Sequence, residues 1–188
     1  ESALAQHLTL STKTAAQGGP LDLFDETKIP TQFLAIADKL LLLNNLENFL
    51  TELPNSLPLD AAKYYISSNY GLRKDPINSR RAFHKGVDLA GWHKTKIYAP
   101  ADAVVLRAGR NGGYGNFIEL EHKNGLVTRF GHLNKIKVKK GQSITKHDVI
   151  GLMGSTGRST GTHLHYEVRV GGKAVNPIIF IKAANDVF

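Results

Sequence analysis

The chain contains no cysteine, and no apolar run in it approaches the about 20 residues of a membrane-spanning helix. Without cysteine there is neither a disulfide framework nor a thiolate metal site, so any bound metal must be held by histidine, aspartate or glutamate. Such nitrogen and oxygen ligands suit Zn²⁺. The absence of cysteine leaves the cellular compartment open. With 188 residues and a hydrophobic fraction of 41%, the chain can form one ordinary domain and an additional segment, or two small domains.

Acidic residues are scarce in the later part of the chain. Residues 1–60 carry 3 Lys/Arg and 8 Asp/Glu, a net charge of −5, whereas residues 61–188 carry 21 and 8, a net charge of +13, and these sum to the +8 of the whole chain. The basic part suggests a polyanionic partner or an acidic segment docked on it, but lysines that only maintain solubility explain the charge equally well. Nucleic-acid binding is therefore an alternative from charge alone, although the sequence shows no recognition motif for it.

Residues 1–60 are predicted to form an acidic helical segment. Pro30 can begin a helix, and apolar residues then recur at near-helical spacing, so we expect one long helix over 30–53, broken near Asn44-Asn45. Its apolar surface is wider than one stripe, so it should pack on another helix or on the rest of the protein. Residues 54–62 are expected to be a connector. We interpret the segment as a regulatory cover over the functional site, with a scaffold role far from the site as an equal alternative.

Residues 61–188 are predicted to form an all-β, antiparallel body, because short apolar runs here alternate with glycine-rich turns. Asn124-Gly125 and Gly171-Gly172 are typical of tight hairpins. Long glycine-rich loops, over 109–115 and 151–161, should lie at one end of the sheet, where binding sites are commonly built. The predicted strands cover residues 97–99, 103–108, 117–121, 127–132, 149–153 and 164–170.

Two histidines in the stretch Thr162-His163-Leu164-His165-Tyr166-Glu167 lie on one face of a predicted strand, because side chains alternate along a strand. Side by side, these imidazoles can serve one metal, or supply one ligand and one catalytic base. His84 and Asp88 lie four residues apart in a stretch that disfavours a helix. Together with one histidine of the pair they would make three ligands and leave a fourth position for water, as in catalytic zinc sites.

The remaining histidine of the pair and His132, at the end of a predicted strand, would then be free to move a proton or stabilise an oxyanion. Each piece alone has an ordinary explanation as a surface or core histidine, and only the combination points to a metal-assisted hydrolase. Surface positions are expected for the other histidines, His7, His93, His122 and His147.

A set of motifs carries a resemblance to a known family. The motifs are Phe83-His84-Lys85-Gly86-Val87-Asp88-Leu89-Ala90, Tyr114-Gly115-Asn116, Gly131-His132-Leu133 and Gly154-Ser155-Thr156-Gly157-Arg158-Ser159-Thr160-Gly161-Thr162-His163-Leu164-His165-Tyr166-Glu167. Together they resemble the M23 metallopeptidases, the peptidoglycan endopeptidases of lysostaphin and LytM type. The resemblance covers about residues 64–180 and leaves out the N-terminal segment.

The resemblance implies a mainly β domain, an antiparallel sheet of the LytM or duplicated-hybrid-motif type, over residues 61–188. It implies one zinc ion per chain, held by His84, Asp88 and His165, with His132 and His163 as a catalytic pair that does not bind the metal. We expect substrate to be bound by Arg73, Tyr114 and Asn116. For Arg73, a structural ion pair is an equal alternative.

The implied reaction is hydrolysis of peptidoglycan cross-links, at the D-Ala–diaminopimelate bond cut by DD-endopeptidases. The alternative is a non-catalytic module of the same fold that binds the cell wall or activates an amidase. We expect a monomer that binds stem peptides and no nucleic acid, with a regulatory protein contacting the N-terminal segment. The chain begins at Glu1 instead of methionine, so we expect a processed or truncated form. The resemblance implies an exported protein of the periplasm or cell envelope, and anchoring to a membrane through a segment missing from this chain is left open.

Overall fold

The structure is a computed structural model that describes residues 30–185, the side chains of residues 182–185 excepted. Helix α1 (Thr31–Glu52) precedes the strands in the sequence, and helix α2 (Pro177–Asn185) follows them. The strands are β1 (Tyr64–Ser68), β2 (Gly71–Lys74), β3 (Arg81–His84), β4 (Val87–Gly91), β5 (Lys96–Tyr98), β6 (Ala103–Arg110), β7 (Asn116–His122), β8 (Val127–Ile136), β9 (Ser143–Ile144), β10 (Val149–Met153), β11 (His163–Val170) and β12 (Lys173–Val175).

The strands form a ten-stranded sheet, with β2 and β3 as a separate hairpin. Its central order is β1-β4-β11-β8-β7-β6-β9, while β10 pairs with β5 and β8, and β12 pairs with β11. All of these pairs are antiparallel, so the predicted antiparallel β body is confirmed. Strand β11 lies between β4 and β8, and this position brings distant parts of the sequence together.

Both predicted hairpins are confirmed, and their backbone angles explain the residues found there. Asn124 and Gly125 have φ values of 66° and 70°, and Gly171 and Gly172 have 54° and 77°. A type I′ turn requires positive φ at both central positions, which asparagine and glycine adopt at low cost. The first turn joins β7 to β8, and the second joins β11 to β12. Every predicted strand is present, and several are longer than predicted.

Strand β11 divides its side chains between the core and the opposite face of the sheet. Leu164, Tyr166 and Val168 are completely buried in the hydrophobic core. A fully buried apolar side chain of this size stabilises the fold by about 1.5–3 kcal/mol. Alternation along the strand directs the two histidines away from this core. The core therefore holds rigidly the strand that presents them.

The described residues fall into two compact units, the first ending at Leu41 and the second beginning at Leu42. Helix α1 has the predicted extent but runs unbroken for 22 residues, so the predicted break near Asn44-Asn45 is wrong. Asparagine costs much less than glycine or proline inside a helix, which explains the continuity. None of the residues of α1 is buried, so the packing expected of its apolar residues stays a prediction. No helix in the described part of the chain is long and apolar enough to cross a membrane.

Part of the predicted connector belongs to the body of the protein. Leu59 is buried in the core and Leu57 packs against it. The Tyr98 amide donates to the Pro58 carbonyl oxygen at 2.9 Å, which ties this stretch to the end of β5. The body therefore includes residues that precede position 61.

Candidate active site

The backbone brings the two sequence patterns together through the pairing of β4 with β11. In this pairing, Asp88 lies directly opposite His165. His84 ends β3, and the chain turns through Gly86 into β4. A Cβ atom at Gly86 would collide with the carbonyl oxygen of Tyr166, so the turn can lie against β11 only with glycine there. This close approach carries His84 to the same point as the other two side chains.

The predicted metal ligands His84, Asp88 and His165 converge on one point. Asp88 Oδ1 lies 2.8 Å from His165 Nδ1 and 3.1 Å from His84 Nε2, and the two nitrogens are 3.1 Å apart. Ligand atoms around a tetrahedral zinc ion are about 3.3 Å from one another, given bonds of about 2.0 Å. All three residues are buried, and the donor set of two nitrogens and one oxygen fits zinc.

Outer hydrogen bonds orient both imidazoles of this cluster. The Nδ1 atom of His84 lies 2.8 Å from the Asn69 carbonyl oxygen, and Nε2 of His165 lies 3.1 Å from Oε1 of Glu167. Each of these nitrogens donates outward, so the other ring nitrogen faces inward, where its lone pair can hold either a metal ion or a proton. With the Asp88 carboxylate, three lone pairs meet at one place, which only a cation or a proton can make favourable.

The pKa values of this cluster reflect the same convergence. Burial alone would raise the pKa of Asp88, but hydrogen bonds from His165 and His84 outweigh it and hold the pKa well below its usual range. Burial alone would lower the pKa of His165, but hydrogen bonds to Asp88 and Glu167 outweigh it and raise the pKa. A metal ion therefore competes with a proton for the His165 nitrogen.

His132 and His163 form a second pair beside the cluster. Their ring centroids are 4.7 Å apart, and Nε2 of His163 lies 3.7 Å from Oδ1 of Asp88. The Nδ1 atom of His132 lies 2.8 Å from the Thr156 carbonyl oxygen, and Nδ1 of His163 lies 2.9 Å from that of Gly161. These contacts make Nδ1 the donor in both rings and leave Nε2 as the free acceptor.

The surroundings of His132 favour its neutral form. Burial is the main cause that lowers its pKa to about 4, so the imidazole is uncharged at neutral pH and can accept a proton. Its backbone adopts a left-handed conformation with φ of 62°, which few residues other than glycine adopt. The contact of its ring with Thr156 helps to hold this conformation.

The two groups of histidines share one cavity of about 450 Å³. Arg73 and Tyr114, both predicted to bind substrate, line it as well. Nη1 of Arg73 donates to Asp88 Oδ2 at 3.1 Å and to Ser68 Oγ at 2.8 Å, as the ion-pair alternative predicts. The Tyr114 hydroxyl donates to Glu167 Oε1 at 2.7 Å.

Asn116, the third predicted substrate-binding residue, makes contacts of another kind. Its side-chain amide donates to the carbonyl oxygens of Leu133 at 3.0 Å and Asn134 at 3.2 Å, and the residue is not among those that line the cavity. Thr156 joins the same loops, because its hydroxyl accepts from the backbone N–H of Asn116 and donates to the Leu133 carbonyl oxygen. The geometry gives Asn116 a role in holding the loops beside the cavity.

Glu167 is a functional candidate to which sequence reasoning assigned no role. It is only 1% exposed, and its carboxylate accepts hydrogen bonds from His165, Tyr114 and Arg169. Burial raises its pKa, but these hydrogen bonds outweigh that effect and lower the pKa to about 2. The signal was present in the sequence, because a residue two positions after His165 lies on the same face of the strand.

The expected surface position of His122 is wrong. It is 3% exposed, with Nδ1 at 2.9 Å from the Asp102 carbonyl oxygen and Nε2 at 2.8 Å from Thr128 Oγ1. Burial lowers its pKa, and hydrogen bonds satisfy both ring nitrogens, so this histidine is part of the interior. His93 and His147 are exposed as predicted, and His7 lies outside the described residues.

Comparison with known proteins agrees with this arrangement. The family model described as Peptidase family M23 matches residues 82–177, about half of the chain. The matched part contains the five residues of the candidate site, His84, Asp88, His132, His163 and His165. The chain belongs to peptidase family M23. Membership confirms the resemblance inferred from the sequence motifs, and the mainly antiparallel fold agrees with that of structurally similar catalytic domains.

The M23 domain is similar to parts of larger proteins. It is 45% identical over 113 residues to the DD-carboxypeptidase/endopeptidase Mpg of Neisseria meningitidis, covering 60% of this chain and 26% of the relative. It is 44% identical over 120 residues to the peptidoglycan DD-endopeptidase ShyA of Vibrio cholerae, and the match covers 63% of this chain and 28% of ShyA. A zinc-containing peptidase from Vibrio cholerae superposes with a TM-score of 0.61 at 38% identity, covering 65% of this chain and 38% of the other. The chain thus spans about a quarter of the length of these curated relatives.

Proposed function

We propose that this protein is a zinc endopeptidase that hydrolyses peptide bonds in peptidoglycan cross-links, at the D-Ala–diaminopimelate bond. The observation that carries the proposal is the pairing of two sets of side chains in one cavity. His84, Asp88 and His165 can hold a metal ion, and His132 and His163 present free nitrogens beside it. A site that only bound metal for structural reasons would not need the second set.

The side chains divide the chemistry between them. Zinc, when bound by His84, Asp88 and His165, supplies a Lewis acid that polarises a carbonyl group and lowers the pKa of water. Neutral His132 can accept a proton at Nε2. His163, once its Nε2 has taken up a proton, can donate a hydrogen bond from that atom to the developing oxyanion. Arg73 keeps the Asp88 carboxylate in place through its ion pair.

The substrate assignment is supported by the relatives and by charge. One of the similar proteins is named a DD-carboxypeptidase/endopeptidase, and another a peptidoglycan DD-endopeptidase. Stem peptides carry free carboxylates, which a body with a net charge of +13 attracts. A location in the cell envelope, in the periplasm, and a role in cell-wall remodelling follow from this substrate. The chain would act there as a monomer.

Digestion of purified cross-linked peptidoglycan, analysed by mass spectrometry, tests the function directly. We expect cross-linked dimers to disappear and the fragments to identify the cleaved bond. A chelator should stop the reaction, and added zinc should restore it. Intact dimers after incubation with fully zinc-loaded protein would exclude the peptidase. The protein would then be better explained as the non-catalytic alternative, an amidase activator or wall-binding module.

A regulatory role of the N-terminal segment is part of the same proposal, with the segment ending before Leu57, which packs against the core of the body. A chain that begins at Leu53 tests it, because this start keeps Leu57 and Leu59, which pack against the core. If the segment covers the site, the shortened chain should release fragments several-fold faster than the full chain, at equal zinc content and thermal stability. Equal rates would show that the segment does not restrict the site and would favour the scaffold role.

A further inference from the structure

An ion pair bridges two loops that line the cavity. Nη2 of Arg158, from the loop before β11, lies 2.8 Å from Oδ1 and 2.9 Å from Oδ2 of Asp75, from the turn between β2 and β3. Both residues line the cavity that contains the histidines. The metal ligands and the catalytic pair do not include either of them, so their contact needs its own explanation.

The backbone of Arg158 is held firmly, which fixes where its side chain begins. Its amide donates to the Gly113 carbonyl oxygen at 2.8 Å. The preceding residue, Gly157, has a φ of 75°, and a Cβ atom there would collide with the amide nitrogen of Gly115. Only glycine allows the two loops to approach this closely. The guanidinium group is therefore presented from a rigid point.

Asp75 does not depend on Arg158 for its hydrogen bonds. Its Oδ1 accepts the backbone amides of Ile77 at 2.9 Å and Asn78 at 3.2 Å, which closes the turn. The Ile77 hydrogen bond is the largest cause that lowers the pKa of Asp75. Among the contacts of the described residues, the side chain of Arg158 uses only Nη2, which leaves Nη1 and Nε for another acceptor.

A second arginine in the cavity is already engaged. Nη1 of Arg73 donates to both Asp88 and Ser68. Its charge is therefore directed at the metal-binding carboxylate. Arg158, whose side chain is 48% exposed, has only the exchangeable contact with Asp75. Of the two arginines, it is the one that a substrate anion can engage without loss to the metal site.

We propose that Arg158 is a specificity-determining residue that binds a free carboxylate of the substrate next to the cleaved bond. This inference rests on the proposed function. A compact cavity of about 450 Å³ is roughly 10 Å across, about three residues of extended peptide. In a D-Ala–diaminopimelate cross-link, the diaminopimelate residue carries a free carboxylate beside the cleaved amide. The planar guanidinium matches a carboxylate with two parallel hydrogen bonds, and Asp75 marks the position that such a group can occupy.

Two substrates that differ in one group test the proposal. They are a cross-linked stem-peptide dimer with the diaminopimelate carboxylate free, and the same dimer with that carboxylate amidated. The zinc-loaded protein should cleave the free acid with a kcat/KM about 10–100-fold higher, as expected for a charged hydrogen-bonded pair. Arg158→Gln should reduce this preference to within about threefold, and Arg158→Lys should keep part of it. A preference in Arg158→Gln equal to that of the unaltered protein would overturn the assignment.

Two further variants distinguish recognition from structural support. Asp75→Asn keeps the oxygen that closes the turn and removes the competing charge, so the preference should persist. If Asp75→Asn and Arg158→Gln lost the preference equally, the ion pair would be a structural tie and the proposal would fail. Arg110→Gln is the matched control, because it removes the same charge from an exposed position at the end of β6. Loss of the preference there would indicate a general effect of charge and would also overturn the assignment.

Binding of the cleavage product separates this proposal from the proposed function. The product whose diaminopimelate amine is released by cleavage is titrated into zinc-loaded protein by calorimetry. The diaminopimelate carboxylate beside that amine is either free or amidated. The free acid should bind at least tenfold more tightly than the amide, and Arg158→Gln should remove the difference. Equal affinities, or no binding at all, would refute the role of Arg158. Selective binding without cleavage of the dimer would refute the peptidase and leave carboxylate recognition in place.

Discussion

Replacement of His163 by alanine is expected to lower kcat on cross-linked peptidoglycan by about 10²–10⁴-fold while the protein keeps its zinc. The ring lies beside the three proposed metal ligands, and its Nδ1 contacts the Gly161 carbonyl oxygen, so under the proposed assignment its loss removes a proton carrier and no ligand. His165→Ala should instead lose zinc, because Nδ1 of that ring is one of the three converging atoms. Metal content by mass spectrometry, measured on the same samples as the rates, separates the two roles.

The surface residue His147 provides the matched control for these variants. His147→Ala removes an imidazole from an exposed position and should change neither zinc content nor rate. A His163→Ala protein without zinc, or a His165→Ala protein that keeps it, would reverse the assignment of ligand and catalytic residue. The His132→Ala variant, compared with His163→Ala across pH, would show which ring accepts the proton.

Replacement of Glu167 by glutamine should weaken both zinc binding and the fold. The carboxylate accepts the Nε2 hydrogen of His165, and loss of such an outer contact typically lowers metal affinity by about 10–100-fold. The same change removes the negative charge that pairs with Arg169, and the side chain of Arg169 is itself mostly buried. We expect the free energy of unfolding to fall by about 1–3 kcal/mol. Competition with a zinc chelator and denaturant unfolding of metal-free protein measure the two effects separately.

Glu121→Gln is the control for this prediction, since it makes the same charge change at an exposed position of β7. It should leave zinc affinity and stability within the range of ordinary surface substitutions, about 0.5 kcal/mol. An unchanged zinc affinity in Glu167→Gln would show that the orientation of His165 does not depend on this carboxylate. An unchanged stability would show that Arg169 finds other partners.

The parts of the fold that sequence reasoning predicted have strong local signals. Asn124-Gly125 required a particular turn, and the alternation of β11 required a strand with one buried face. Strands β1 and β2 were missed because most of their side chains are exposed, so apolar alternation does not mark them. Helix α2 was missed as well, because its nine residues are too few for helical periodicity to stand out.

The candidate site shows the same limits. The spacing of His84 and Asp88 and the pair on β11 were visible in the sequence, but only the register of β4 against β11 brings them together. The ion pair of Arg158 with Asp75 spans 83 positions, and no local pattern could reveal it. His122 was misplaced because a histidine carries no mark of burial in the sequence; its two hydrogen-bond partners, from different strands and turns, decide its position.

The central position of β11 also affects the order in which the site forms during synthesis. His84 and Asp88 emerge from the ribosome early, whereas His165, which contacts both, follows Asp88 by 77 residues and His84 by 81. Synthesis adds about 5–20 residues per second, so a nascent chain contains the proposed ligands His84 and Asp88 for several seconds before His165 can join them. During that time the central strand is missing between β4 and β8, and the histidine set is incomplete. A chain in the course of synthesis, or one cut short before residue 163, therefore carries an inert half of the site.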